Sequence, residues 1–415
     1  MTQSIRLALV GCGGMGLRHL HGLIELKRCG FDTVDLVAVC DINADHAAHV
    51  ADVAQNELGI KPQIYTDLAQ LLVSEKSLDA IDLVTDPISH HTLACMAFDA
   101  GIHVMIEKPM GVTVRACHVI IESAKRNGCK LAVAENYRRD PMNRLLKAVI
   151  DNEIIGVPYL VLHNHIAGGG SIMSGTLWRH QKHRGGYLIE MGVHYGDMLT
   201  YLLGDIDEVY AATAIFEEHR ARRGASRFYQ HRLKNEPTSI QPDAEETAAA
   251  TLKFGNGAFG QFTLSMAGHG RGVRTRQIFG AKGSIDAPGD RSGNPIRLKL
   301  DDADEFIGDS VLDLVPDFTL DAINQGLFGF ERAGSYDLPF ESIDHKLLAY
   351  EYQDFAEAIR EDRSPEVDGD GGLIATAFAY ALCESGYLGK PVSLSAVAAD
   401  EINAYQAEIN ENVGL

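Results

Sequence analysis

Tryptophan occurs once, as Trp178, and the cysteines (Cys12, Cys29, Cys40, Cys95, Cys117, Cys129 and Cys383) never fall into a C-x-x-C spacing. A scattered, odd-numbered set excludes a disulfide framework and offers no zinc site, so no metal is expected. The thiols fit a reduced, cytoplasmic protein. No apolar run approaches the roughly 20 residues that a membrane helix needs. The opening "MTQSIRLALVGCGG" lacks the charged start and cleavage site of a secretory signal. Positive charge is also short: 37 lysines and arginines against 57 aspartates and glutamates leave a net charge of −20. That argues against nucleic acid and anionic membranes as partners. It leaves room for an anionic small molecule in a locally basic pocket. At 415 residues the chain is too long for one ordinary core, and two domains are expected.

What is present has a clear order. The apolar runs "IRLALV" (5–10), "VDLVAVC" (34–40), "IYT" (64–66), "AIDLVT" (80–85), "HVMIEK" (103–108) and "KLAVAENY" (130–137) lack strict alternation, as parallel strands covered on both faces do. Helical patterns lie between them, two ending on glycine. The expected fold class is α/β: a doubly wound parallel sheet over 1–137. Beyond it, 138–415 changes texture. Longer strand candidates (157–167, 207–216, 247–254, 258–267, 274–280) suggest an open, mainly antiparallel sheet, closed by helices near 344–362 and 372–388. Two charged inserts stand out, 217–242 rich in arginine and histidine and 301–321 with eight acids and no base. Such loops are ordinarily solvated surface.

"LALVGCGGMGLRHL" places Gly11, Gly13 and Gly16 as G-x-G-x-x-G between the first strand and a helix, with Gly14 and Met15 inside the turn. The first glycine makes the turn, the second lets a pyrophosphate approach the backbone, and the third packs the helix on the strand. Asp41 ends the second strand, followed by Ile42. A carboxylate there can bind both ribose hydroxyls and repels a 2′-phosphate, so NAD is favoured over NADP.

A second signal is "IEKPMG". Lys108 closes a parallel strand at its carboxyl end, where such sheets bind ligands, and Pro109 restricts how its stem leaves. An ammonium there can stabilise an alkoxide. A third is "GGYLIEMGVHYGDMLTYLLG", where Glu190, His194 and Asp197 at i, i+4, i+7 share one helix face. Acid, imidazole and acid make a plausible proton-handling group. The double glycine before them suggests close approach by another group.

These motifs, in this order, resemble the Gfo/Idh/MocA oxidoreductases, the family of glucose–fructose oxidoreductase and inositol dehydrogenase. The resemblance rests on the glycine motif, Glu107-Lys108-Pro109, Asn136-Tyr137-Arg138 and the segment around His194. It implies an NAD(P)-binding Rossmann domain and an α/β domain whose sheet mediates homodimers or homotetramers. It implies reversible oxidation of a secondary hydroxyl of a sugar or cyclitol, with Lys108 catalytic, His194 the acid/base, and Asp197 and Glu190 its helpers. Glu107, Pro109 and Asn136 would contact the cofactor, while Tyr137 and Arg138 would contact substrate. Two departures appear: Glu190 stands where the family usually has aspartate, and a T-P-N-x-x-H turn reads "DPISHH", keeping Pro87 and His91 as cofactor contacts but not the residues beside them.

The stretch "WRHQKHRGGY" puts Trp178, Arg179, Lys182 and Arg184 just before the His194 segment. A local basic group suggests an anionic or hydroxyl-rich substrate, or else a solvated loop. Trp178 could stack on a ring or belong to a core. Rival functions are a cis-dihydrodiol dehydrogenase, a lyase or glycosidase that uses tightly held NAD transiently, and a non-catalytic nucleotide sensor.

Overall fold

A computed structural model describes residues 4–173, 176–223 and 237–415. Six parallel strands form the first sheet: β1 (Ile5–Val10), β2 (Val34–Cys40), β3 (Gln63–Tyr65), β4 (Ala80–Leu83), β5 (His103–Glu107) and β6 (Leu131–Ala134), in the order β3-β2-β1-β4-β5-β6. Because side chains alternate along a strand, β1 feeds two cores. Ile5, Leu7 and Leu9 face α1 (Gly14–Arg28) and α2 (Ala44–Leu58). Ala8 and Val10 join the opposite core, with α3 (Leu68–Ser74), α4 (Pro87–Asp99) and α5 (Val114–Arg126). Burial on both faces explains the unbroken apolar runs. Strand order reverses between β1 and β4, and at such a point a crevice opens at the strands' carboxyl ends.

The chain then passes through α6 (Pro141–Asp151), β7 (Pro158–Gly168), α7 (Gly186–Leu203) and β8 (Ile206–Ala214). A two-stranded ribbon follows, β9 (Arg220–Ala221) with β10 (Ser239–Ile240). Next come β11 (Thr247–Phe254), β12 (Phe259–Gly268), β13 (Val273–Gly280), β14 (Gly283–Asp286), β15 (Arg297–Leu300) and β16 (Glu305–Ile307). After them lie α8 (Asp309–Leu312), α9 (Ala322–Phe328), α10 (Phe340–Arg360), α11 (Gly369–Leu388) and β17 (Val392–Ser393). The second sheet is open and nine-stranded, β16-β15-β14-β13-β7-β12-β11-β8-β17. Among its described strands only β7 and β12 pair in parallel. One face packs on α7 and α11. There Gly192 and Gly196 let α11 approach so closely that an added Cβ would lie 2.9 Å from Ala379 and 2.8 Å from Phe378.

Two expectations change. Helix α10 does not close the second sheet. Its Ile343, Leu347, Tyr352 and Phe355 share a core with β1, α1 and α2, so the chain returns to cover the nucleotide-domain sheet. An apolar helix face shows that it is buried, not against which sheet. The acidic stretch 301–321 is more than solvated surface: it forms β16 and α8 and buries Val311, Val315 and Leu320. Within the insert 217–242, the ribbon strands are in place, while 224–236 lie outside the described residues. Among the described residues no helix is long and apolar enough to cross a membrane, and no cluster of His, Cys, Asp and Glu could hold a metal.

Candidate active site

Every motif singled out in the first domain ends at the same edge of its sheet. Gly11 has φ +98° and packs on β4's exit: a Cβ there would lie 2.4 Å from the Val84 carbonyl oxygen. A Cβ on Gly16 would sit 2.0 Å from the Gly11 carbonyl oxygen, so neither glycine can be replaced without moving backbone. Gly13 caps α1 with no side chain, leaving the helix's first amides open. Asp41 pins this loop, accepting from the Cys12 amide at 2.8 Å and from the Asn43 amide at 2.8 Å. Ile42 beside it is 95% exposed. Pro87 starts α4, whose N-cap is Asp86. Asp86 also pairs with Arg184 of the loop before α7, tying the two domains together at the departure from the T-P-N pattern.

At the end of β5, Lys108 is held by the second domain. Its Nζ donates to Glu190 Oε1 at 2.9 Å and to the Glu190 carbonyl at 3.3 Å. Burial opposes the ammonium charge, yet Glu190 and then Glu107 outweigh it and lift Lys108 above the usual lysine range. Glu190 also accepts from Arg179 Nε at 3.0 Å. Burial resists its charge in turn, but Arg179 and Lys108 keep the carboxylate low.

His194 lies one turn along α7 from Glu190, so Lys108 and His194 converge from different domains. Its Nδ1 lies 2.7 and 2.8 Å from the two carboxylate oxygens of Glu135, the residue that follows β6. Tyr137 stacks flat on the imidazole, centroids 4.1 Å apart and planes 4° from parallel. The Arg291 guanidinium lies 4.9 Å from the Tyr137 ring centre. Burial, reinforced by the Lys108 charge, holds His194 well below the usual imidazole range. Burial also pushes the Glu135 carboxyl up, to about 7, against the pull of Lys108. The imidazole is therefore neutral, with Nδ1–H directed at Glu135 and Nε2 left as the basic nitrogen.

The expected helpers hold other partners. Asp197 accepts from Arg138 Nε at 2.9 Å, not from His194. Glu190 serves Lys108 and Arg179. Arg138 and Arg179, expected to meet substrate, are thus committed within the protein, and Arg179 lies 4.3 Å over the Trp178 ring. The other loop cations are paired too, Lys182 with Glu408 and Arg184 with Asp86. The double glycine before α7 meets its own chain. Gly185 and Gly186 have φ of +108° and +72°, and a Cβ on Gly186 would lie 2.6 Å from Ala244 Cβ.

Four functional candidates lay outside the sequence argument. Glu135 had a usable signal, because it ends a parallel strand just as Lys108 does. His90, next to the expected His91, lies 3.2 Å from the carbonyls of Pro109 and Met110 and 3.1 Å from that of Thr85, bracing the turn after Lys108. His19 is buried under Glu107. Arg291 comes from a loop with no pattern of its own. His91 itself is buried, with Nδ1 lacking a protein partner.

Two family models match this chain: the NAD-binding Rossmann fold of the Gfo/Idh/MocA oxidoreductase family over residues 5–135, and the family's C-terminal alpha/beta domain over 147–394. The chain belongs to the Gfo/Idh/MocA oxidoreductase family. An uncharacterized oxidoreductase, YrbE of Bacillus subtilis, is 27% identical over 397 residues, covering 95% of this chain and 98% of the relative. The scyllo-inositol 2-dehydrogenase (NAD(+)) of the same organism is 24% identical over 395 residues, covering 95% and 97%. Among solved structures, levoglucosan dehydrogenase in complex with NADH superposes with a TM-score of 0.75 at 21% identity, covering 94% of this chain and 99% of that one.

This oxidoreductase therefore carries an NAD-binding domain, and its own residues suit the dinucleotide. The Gly11–Gly16 cradle has no room for side chains, and the open amides of α1 attract phosphate. Asp41 keeps lone pairs for ribose hydroxyls beyond its two amide bonds. Asn136 Oδ1 is buried without a protein partner, an acceptor suited to a carboxamide.

Proposed function

We propose that this oxidoreductase reversibly oxidises a secondary hydroxyl of an uncharged sugar or cyclitol ring. The observation that carries it is the convergence just described: Lys108 and His194 reach one site from separate domains, joined through Glu190. Bound NAD⁺ supplies the hydride acceptor. His194 Nε2 takes the hydroxyl proton while Glu135 holds Nδ1–H and favours the imidazolium that forms. Lys108 donates a hydrogen bond to the same oxygen as negative charge grows on it. Glu190 and Arg179 keep that ammonium aimed, and Tyr137 fixes the imidazole plane. The names of the matched relatives, an inositol and a levoglucosan dehydrogenase, support the substrate class.

An uncharged ring is favoured over an anionic one because Arg138, Arg179, Lys182 and Arg184 each face a carboxylate. Assembly into homo-oligomers through the open sheet is supported by Tyr210 and Phe259, exposed on its uncovered face. The test is a panel of inositols, neutral aldoses, anhydrosugars, sugar acids and cis-dihydrodiols with NAD⁺, followed by NADH absorbance. NADH is expected from a neutral polyol. NADH only from a dihydrodiol, or product without net NADH, would overturn the proposal.

A further inference from the structure

Beneath the Lys108–His194 pair lies a second imidazole that the proposed chemistry does not use. His19, on α1, is fully buried. Its Nδ1 is 2.9 Å from Asp82 Oδ2 of β4, and its Nε2 is 3.1 Å from Glu107 Oε1 of β5. The Tyr352 hydroxyl of α10 donates to the same Asp82 oxygen. A neutral imidazole has one N–H and one lone pair. Between two carboxylates it would press that lone pair against an anion. With both carboxyls ionised, only the doubly protonated ring satisfies both.

Two further carboxyls lie nearby, but burial pushes Glu351 of α10 up to about 8 and Glu135 after β6 up to about 7, so neither is a full anion near neutrality, while Lys108 flanks Glu107 on the active-site side. Burial opposes a charge on His19, but Asp82 and then Glu107 override it and hold the ring well above the usual imidazole range. Burial likewise opposes the Glu107 charge, yet His19 and Lys108 draw that carboxyl down to about 2.

We propose that His19 is a permanently charged positioning residue: an imidazolium clamped between Asp82 and Glu107 that keeps Glu107 ionised beside Lys108 and so favours the cationic, oxidised nicotinamide over the neutral, reduced one. The cofactor part rests on the assignment of the nicotinamide to the Glu107-Lys108-Pro109 turn. The charge itself does not. Removing the cation leaves buried Glu107 with Lys108 alone to hold its charge, and its carboxyl is then expected to rise towards the working pH range.

Two measurements test this. In cofactor-free protein labelled with ¹⁵N-histidine, the His19 signal is assigned by its loss in His19→Gln, or by its shift in Tyr352→Phe if the first variant does not fold. Both ring nitrogens are expected in the protonated range, unchanged from about pH 6 to about pH 9. A neutral tautomer at pH near 7 overturns the inference, whatever the enzyme's substrate. Next, NAD⁺ and NADH affinities are measured across the same range. In His19→Gln the NAD⁺ Kd is expected to weaken about tenfold between about pH 8 and about pH 6, with NADH moving less than about twofold. Wild-type protein shows no such divergence. Parallel behaviour of the two cofactor forms in the variant overturns the electrostatic role. Failure of every polyol to yield NADH, with His19 still charged, would count against the dehydrogenase assignment alone.

Discussion

Glu135 reaches His194 from the end of a strand in the other domain and meets Nδ1 with both carboxylate oxygens, at 2.7 and 2.8 Å. The orienting acid of this imidazole therefore lies across the domain boundary and not on the helix that carries it. Glu135→Gln should lower kcat for oxidation about 100-fold or more, because the amide can donate to Nδ1 and favour the wrong tautomer. NAD⁺ affinity should change little. Since burial sets the Glu135 carboxyl near 7, it takes up a proton as pH falls below that value and stops favouring the imidazolium. The kcat/KM profile should drop below about pH 7 in the wild type and lose that limb in the variant. His194, held low by burial, should add no limb of its own near 6.5.

Asp41 secures the glycine loop through the Cys12 amide and carries the charge expected to reject a 2′-phosphate. Asp41→Ser should weaken NAD⁺ binding about tenfold, the value of one or two charge-assisted hydrogen bonds. It should also raise kcat/KM with NADP⁺. Titrations of both dinucleotides check this, and an unchanged NAD⁺ to NADP⁺ preference would count against a ribose role for Asp41.

Glu366 forms a two-pronged ion pair with Arg144, at 2.6 and 2.7 Å, joining α6 to the segment before α11. Burial opposes its charge, but Arg144 and Arg139 draw the carboxyl from an ordinary 4.5 down to about 2. A depressed pKa stabilises the folded state above the unfolded value. The benefit is present above 4.5 and lost as pH falls from there towards 2. Glu366→Gln should cost about 3 kcal/mol near neutrality, with the gap to wild type closing over that acid range. Chemical denaturation at several pH values checks it.

The parts legible in the sequence are those where backbone geometry dictates the residue. Gly11 needs a positive φ, and Gly16 must let the Gly11 carbonyl through, so the dinucleotide cradle is written in local chemistry. The helical spacing of Glu190 and His194 shows which side chains point the same way, and the structure brings both to Lys108's site. What that spacing cannot convey is the opposite wall. Glu135 follows β6, and a helix periodicity holds no trace of it. The same holds for the loop before α7. Composition displays Lys182 and Arg184, but their neutralising partners, Glu408 and Asp86, lie far along the chain in opposite directions. Helix α10 misled for a related reason, since an apolar stripe fits any sheet offering a complementary face.

The most direct test of the central claim is a single turnover of His194→Ala with a productive polyol and saturating NAD⁺, against wild type. The account predicts NAD⁺ affinity within about threefold of wild type, an intact Lys108–Glu190 contact, and NADH formation slowed by about 1,000-fold. NADH formation at more than about a tenth of the wild-type rate would contradict it, because the proton would then leave the substrate without the imidazole.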